Sequence, residues 1–295
     1  MEGLHLTIIG RGAFGSALAS VYQRAGASVQ LLGRERWPDN VNSSTFVAVP
    51  TSDLNSVLGR LAAHNHQLKA MILCCKGIEA SSGLLPTQIA AQFLPDVSTY
   101  VLSGPGFAKD LEAGRPVAHT LAHSKNAAAL AKMLSTPTFR LYHCDDRVGV
   151  QLCGALKNII AIAAGVAQGL SFGESARAAL ITRATVELRY LLKKLGGRPE
   201  TQWTLAGIGD LILTCNSPTS RNFRFGEAIA KGTTVHHALG EIGTVEGLGA
   251  LAGLGKLTAF DQAPICQGLS DVLHEGQDPR GVVERWMTQR PSKAG

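Results

Sequence analysis

Apolar residues follow two rhythms along this chain. In the first half they form short unbroken runs separated by stretches of helical spacing. Leu6-Thr7-Ile8-Ile9 ends at Gly10, and Val29-Gln30-Leu31-Leu32 is the next run. Thr45 to Val49, closed by Pro50, Met71-Ile72-Leu73-Cys74-Cys75 and Thr99-Tyr100-Val101-Leu102-Ser103 complete the series. Between the first two runs, Ala17, Leu18 and Val21 recur at helical spacing from Ser16 to Arg24, and Gly26 supplies a stop. Apolar strands alternating with helices predict a parallel sheet covered on both faces, hence a doubly wound α/β domain over residues 1–144. Past about Asp145 the spacing becomes helical throughout, over Val148 to Leu170 and Ser175 to Leu195. The second of these ends on Lys193 and Lys194 with Gly196-Gly197 beyond, a stop that suits the helix dipole. An all-α domain over residues 145–295 is the expectation, packed closely because no low-complexity linker intervenes.

Composition narrows the function classes. With 45% hydrophobic and 17% charged residues, the 295-residue chain is neither disordered nor fibrous, and its 33 glycines lack collagen's period. Aromatics at 5% speak against a base-stacking nucleic-acid platform. The net charge of +6 is spread, with 12 basic against 8 acidic residues up to Cys144 and 16 against 14 beyond it. That mild field suits anionic small molecules and predicts no nucleic-acid partner. Six cysteines without CxxC spacing predict reduced, buried thiols in a cytoplasmic protein, and no metal site. The N-terminus does not read as a signal peptide. The longest apolar stretch of the second half, Ile159 to Ala167, is too short to cross a bilayer, so the chain is expected to be soluble.

Candidate chemistry sits at the ends of the predicted strands. Gly10-Arg11-Gly12-Ala13-Phe14-Gly15 is GxGxxG directly after the first strand and opening the first helix. Gly10 permits a tight turn, Gly12 lets backbone approach a pyrophosphate, Gly15 allows close helix–strand packing, and the helix terminus meets the phosphates. This predicts a Rossmann-like domain holding a dissociable dinucleotide. Where the second strand ends, Glu35 suits the ribose hydroxyl of NAD while Arg34 and Arg36 offer guanidinium groups to the 2′-phosphate of NADP, so both cofactors are expected. Lys76-Gly77 and Ser103-Gly104-Pro105-Gly106-Phe107-Ala108 follow the fourth and fifth strands, where such sheets place ligands. A surface lysine and a plain tight turn are the alternatives there. In the helical half, Lys157 and Asn158 interrupt an apolar helix, Asp210 lies in a glycine-rich apolar turn, and Ser220-Arg221-Asn222 makes a suitable phosphate clamp. Singly each also fits a structural role; jointly they offer a lysine acid/base, an acidic orienter and an anion binder.

Five blocks in order carry a resemblance: IGRGAFGSAL from Ile9, CKGIE from Cys75, LSGPGFAKD from Leu102, GALKNIIAIAAGVAQG from Gly154 with GESARAALIT following, and LAGIGDLILTCNSPTSRNFRFG from Leu205. Val245-Glu246-Gly247 adds a sixth. The chain resembles the bacterial-type NAD(P)-dependent glycerol-3-phosphate dehydrogenases. The resemblance implies reversible reduction of dihydroxyacetone phosphate to sn-glycerol 3-phosphate, a phospholipid precursor. It implies Lys157 as the proton donor, Asp210 as its orienter, and Lys76 as a second lysine near substrate and cofactor. Lys76 and Arg221 become the candidate cations that lower the Lys157 pKa. It further implies Gly104, Gly106, Asn158, Ser220, Arg221 and Asn222 around the substrate. Gly10, Gly12, Ala13, Phe14, Gly15, Arg34, Lys76, Ala108, Arg221 and Glu246 would lie around the cofactor. A homodimer is left open.

Two departures stand out. The family usually carries Ser or Thr where this chain has Gly106, so a hydroxyl near the substrate is missing. Only Glu35 to Ser44 separates Arg34 from Thr45, where the family places a helix, a strand and another helix. The resemblance therefore implies a shortened dinucleotide domain with a thinner wall at the adenine end. Two other functions compete: a dehydrogenase of another small anionic hydroxy compound, and a catalytically weak dinucleotide-binding sensor.

Overall fold

The computed structural model describes residues 1, 3–35, 37–38, 40–64, 68–125 and 127–288. The predicted strands and first helix form: β1 (His5–Ile9), α1 (Ala13–Arg24), β2 (Ser28–Leu32) and β3 (Ser44–Val47). Then come α2 (Leu54–His64), β4 (Ala70–Leu73), α3 (Pro86–Phe93), β5 (Ser98–Ser103), α4 (Ala108–Glu112), β6 (Val117–Ala122), α5 (Ala128–Leu134) and β7 (Phe139–Cys144). They lie in one sheet in the order β2-β1-β3-β4-β5-β6-β7. Ile8, Phe46 and Ile72, on successive strands, are fully buried, because helices cover both faces. The chain reverses direction across the sheet between β1 and β3, and the glycine loop emerges at that switch point.

One expectation is corrected: the sheet is mixed, not parallel. β5 and β6 run antiparallel, with Ser103 opposite Thr120, whereas β6 and β7 run parallel. The apolar rhythm does not predict β6 and β7, since β6 carries His119 and Thr120 and β7 alternates with Arg140, Tyr142 and His143. The strands expected at Thr45–Val49 and Met71–Cys75 each begin one residue earlier and end two residues sooner, which leaves Cys74 to Gly77 free to form the loop at the site.

Two described residues of the shortened span between β2 and β3 pack against the sheet. β2 is the edge strand on that side, with no further strand beyond it among the described residues. Trp37 and Val41 are buried in the cluster of Ile9, Leu32, Val47 and Leu58, and the Trp37 indole N–H donates to the Gly33 carbonyl at 2.9 Å. The Arg60 guanidinium lies 4.0 Å above the Trp37 ring. A single indole thus closes a flank that the resemblance gives to further secondary structure.

The helical half comprises α6 (Arg147–Gly169), α7 (Gly173–Lys194), α8 (Asp210–Cys215), α9 (Arg221–Ala230), α10 (Val235–Ile242), α11 (Glu246–Leu257), α12 (Pro264–His274) and α13 (Pro279–Thr288), with a π-helical turn at Leu205–Gly209 leading into α8. α6 is its axis, buried continuously from Gly149 to Ala167. The apolar run Ile159–Ala167 alone is too short for a bilayer, but α6 as a whole, unlike the other described helices, is long and apolar enough to cross one; its most apolar stretch is wholly buried inside the protein. α9 crosses α6 backbone to backbone: a Cβ on Gly165 would collide with the Phe223 carbonyl, and one on Gly226 with that of Ile162. This close crossing sets the start of α9 beside the middle of α6. All six cysteines are unbridged; five are buried as expected, and Cys144 is half-buried.

Candidate active site

The glycine loop has the geometry its sequence predicts. Gly10 adopts φ +117°, and a Cβ there would collide with the Ala48 carbonyl at the end of β3. A Cβ on Gly15 would collide with the Gly10 carbonyl, so α1 can approach the loop only as it does. Gly12 differs: nothing lies within 4 Å of the position of its Cβ. It caps α1 in extended conformation without a side-chain hydrogen bond, so the first-turn amides, including those of Ala13 and Phe14, face open approach. That is the surface a pyrophosphate requires, and the residues present fit a dinucleotide.

The charged centre is assembled from both halves. Lys76 leaves the end of β4, Lys157 projects from the middle of α6, and Asp210 opens α8. Asp210 takes Lys157 Nζ on one carboxylate oxygen at 2.9 Å and Lys76 Nζ on the other at 2.7 Å. Lys157 also donates to Thr214 Oγ1 at 2.9 Å, and Lys76 to the Gly104 carbonyl at 2.9 Å. Burial pushes the Asp210 carboxyl up, but the two ammonium groups outweigh it and hold the value at about 2. Burial pulls the Lys157 ammonium below the ordinary lysine value; Asp210 opposes and Lys76 reinforces this. Of the two expected cations, Lys76 exerts that influence. Thr214, one helical turn after Asp210, was not among the sequence candidates, although the i, i+4 spacing on an apolar helix is a usable signal.

A chain of amides locks the centre in place. Asn158 Nδ2 donates to the Lys76 carbonyl at 2.8 Å, and Asn222 Nδ2 donates to Asn158 Oδ1 at 2.9 Å. Asn222 Oδ1 in turn accepts from the Gly247 amide at 2.9 Å. β4, α6, α9 and α11 are thereby tied at one point. Asn158 and Asn222 are buried, and each uses its side chain on protein partners.

The remaining candidates divide. Ser220 Oγ caps α9, accepting from the Phe223 amide at 3.2 Å. Arg221, the first residue of α9, is exposed and has no ion pair among the described residues. Arg34 is exposed and likewise without an ion pair, whereas Glu35 is engaged: it accepts from the Gly33 amide at 2.8 Å and pairs with Arg11 at 3.1 Å. Arg36 lies outside the described residues. Ala108 opens α4. Glu246 opens α11 and accepts from the Thr51 amide at 3.4 Å; burial raises its carboxyl, against the pull of Lys157. Gly104 and Gly106 line the turn from which Lys76 is held. No group of three metal-ligating side chains occurs among the described residues.

Fold and site together define a class, the dinucleotide-dependent dehydrogenases that hold a cofactor on the sheet and present a buried lysine from the helical half. Comparison with known proteins narrows it. Residues 38–129 match the model of the NAD-dependent glycerol-3-phosphate dehydrogenase N-terminus, and residues 146–284 that of its C-terminus. The glycerol-3-phosphate dehydrogenase [NAD(P)+] of Cereibacter sphaeroides is 42% identical over 309 residues, covering 97% of this chain and 98% of the relative. That of Beijerinckia indica is 39% identical over 328 residues, covering 98% and 97%. The crystal structure of the Coxiella burnetii enzyme superposes with a TM-score of 0.88 at 32% identity, covering 97% of this chain and 99% of the other. The chain belongs to the NAD(P)-dependent glycerol-3-phosphate dehydrogenases and is an oxidoreductase.

Proposed function

We propose that this chain interconverts dihydroxyacetone phosphate and sn-glycerol 3-phosphate with Lys157 as the proton donor, supplying glycerophospholipid synthesis. The observation that carries the assignment is the Lys157 ammonium, buried and held 2.9 Å from Asp210 in reach of the sheet's ligand end. NAD(P)H, when bound, supplies the hydride. Lys157 delivers a proton to the C2 carbonyl oxygen as charge develops there. Burial and Lys76 ease that proton's release, while Asp210 keeps the ammonium charged until it is needed. Lys76 stabilises negative charge on the same oxygen, and Arg221 with Ser220 and Asn222 borders the substrate phosphate. Gly104 and Gly106 line the substrate side of the turn.

Residues 1–144 hold the cofactor and residues 145–295 supply the substrate chemistry. Gly10, Gly12, Ala13, Phe14 and Gly15 would cradle the pyrophosphate, and Arg34, Lys76, Ala108, Arg221 and Glu246 would contact the rest of the cofactor. Glu35 is engaged with Gly33 and Arg11 while Arg34 is exposed, which supports acceptance of NADP beside NAD. Six unbridged thiols suit the reducing cytoplasm. Oxidation of NADH and NADPH, followed with dihydroxyacetone phosphate as substrate, tests the reading. Absence of turnover at about millimolar substrate, near the upper end of ordinary KM values, overturns it. Turnover only with a non-phosphorylated hydroxy acid points to a different substrate.

A further inference from the structure

One residue of the glycine loop sends its side chain away from the loop. Arg11 stands between Gly10 and Gly12, and its guanidinium crosses to β2, where it donates to the Leu31 carbonyl at 3.1 Å. The same guanidinium pairs with the Glu35 carboxylate at 3.1 Å. Glu35 turns back to meet it, accepting from the Gly33 amide at 2.8 Å on the same oxygen, Oε1. Gly33 leaves room for both side chains: a Cβ there would lie 2.6 Å from Glu35 Oε2 and 3.0 Å from Arg11 Cδ. The backbone beneath the pair is held at two points. The Trp37 indole donates to the Gly33 carbonyl at 2.9 Å, and Arg60 donates to the Glu35 carbonyl at 2.8 Å.

The Glu35 carboxylate is thus an anion seated on a backbone N–H and a guanidinium, the donors that a phosphate oxygen takes. The Gly33 amide leads in holding the carboxyl below its ordinary value, and Arg11 and Arg60 act in the same direction. The seat lies between the glycine loop and the end of β2, where dinucleotide-binding sheets place the adenosine ribose. The side chains of Arg11 and Glu35 are 57% and 43% exposed, so an incoming anion reaches both. An exposed ion pair of this kind is worth little, and a phosphate that brings more charge can replace the carboxylate.

We infer that Arg11 is a cation for the 2′-phosphate of NADP, beside Arg34, and that Glu35 occupies its seat until the phosphate displaces it. The Arg11–Glu35 pair thereby sets cofactor selectivity. NADP competes with Glu35 for the guanidinium, whereas NAD brings no phosphate to that seat. The inference rests on the dinucleotide reading of the glycine loop.

Dissociation constants for NADPH and NADH are to be measured by fluorescence titration for the wild type, Arg11→Met, Glu35→Gln and the double variant. Thermal melting reports folding; both side chains are exposed, so each variant is expected to melt near the wild type. The readout is the ratio of the NADPH to the NADH dissociation constant. Arg11→Met raises that ratio about tenfold, as loss of a charge-assisted hydrogen bond to phosphate does. Glu35→Gln lowers it about fivefold by removing the competing charge. With Arg11 already replaced by Met, the Glu35→Gln effect shrinks to less than about twofold, because the guanidinium it would release is gone. An unchanged ratio in Arg11→Met overturns the inference. Equal Glu35→Gln effects in the two backgrounds show a bare charge rather than a displaced one, and also overturn it. If the wild type binds neither cofactor, the dinucleotide reading fails and this inference falls with it.

Discussion

Lys157 Nζ lies 2.9 Å from a carboxylate oxygen of Asp210, although 53 residues separate them in sequence. Both groups are buried, so the pair works as a unit rather than as a solvated contact. Replacing Lys157 by Ala removes the proton donor and leaves the Asp210 carboxylate with Lys76 and the Thr214 hydroxyl. The expected result is a fall in kcat of about 100-fold or more with NADPH affinity retained, read by steady-state kinetics and fluorescence titration.

The electrostatics around Lys157 give two shifts of opposite sign. Carbonyl reduction needs the ammonium form, so kcat declines as pH rises through the Lys157 pKa. Asp210 raises that pKa and Lys76 lowers it. In Asp210→Asn the alkaline limb moves to lower pH, and in Lys76→Met it moves to higher pH. A pH–kcat profile for the two variants checks the signs, and a shift of both in one direction contradicts the assignment.

Arg221 stands exposed at the start of α9 without an ion pair among the described residues. Arg221→Ala should raise the KM for dihydroxyacetone phosphate by about 10- to 100-fold, with a smaller effect on kcat. A non-phosphorylated ketone substrate should be insensitive to the change.

Cofactor choice should respond to Arg34. Arg34→Ser is expected to lower kcat/KM for NADPH by about tenfold while that for NADH changes less than about threefold. Side-by-side kinetics with the two cofactors provide the comparison.

Glu187, on α7, is buried where α12 begins and accepts from the Ile265 amide at 2.7 Å and the Cys266 amide at 3.4 Å. Burial outweighs those bonds and raises its carboxyl from 4.5 to about 7. An acid whose value is raised on folding stabilises the fold fully below its unfolded value, and that contribution is lost as pH rises through the folded one. The melting temperature should therefore drop between 4.5 and about 7, and Glu187→Gln should flatten the profile, as a melting series across that range would show.

Much of this molecule was readable from its amino acids. The glycine loop was legible because its three glycines answer local demands: Gly10 and Gly15 would clash with neighbouring carbonyls, and Gly12 stays open. α6 and α7 were legible because burial of one long axis imposes an unbroken helical pattern. β6 and β7 were not, since His119, Thr120, Arg140 and His143 dilute the apolar rhythm, and an antiparallel neighbour leaves no mark on a single strand's composition. The centre carries only local hints, a lysine interrupting an apolar helix and a carboxylate in a glycine-rich apolar turn. Lys76 and Asp210 meet across 134 residues, and only resemblance to a family joined them beforehand. His119 gives no local signal either, since it meets Gly106 only across a turn.

α6 has one further consequence, which concerns the newborn chain rather than the finished enzyme. Its length and apolarity satisfy the requirement for a bilayer span, and the helices that bury it in the finished fold, α7, α9 and α11, all follow it in sequence. Lys157 falls near the midpoint of Arg147–Gly169, where a lysine opposes insertion by about 2.5–3.5 kcal/mol. The side chain assigned to proton delivery thus also makes this segment a poorer bilayer span than its other residues alone would be.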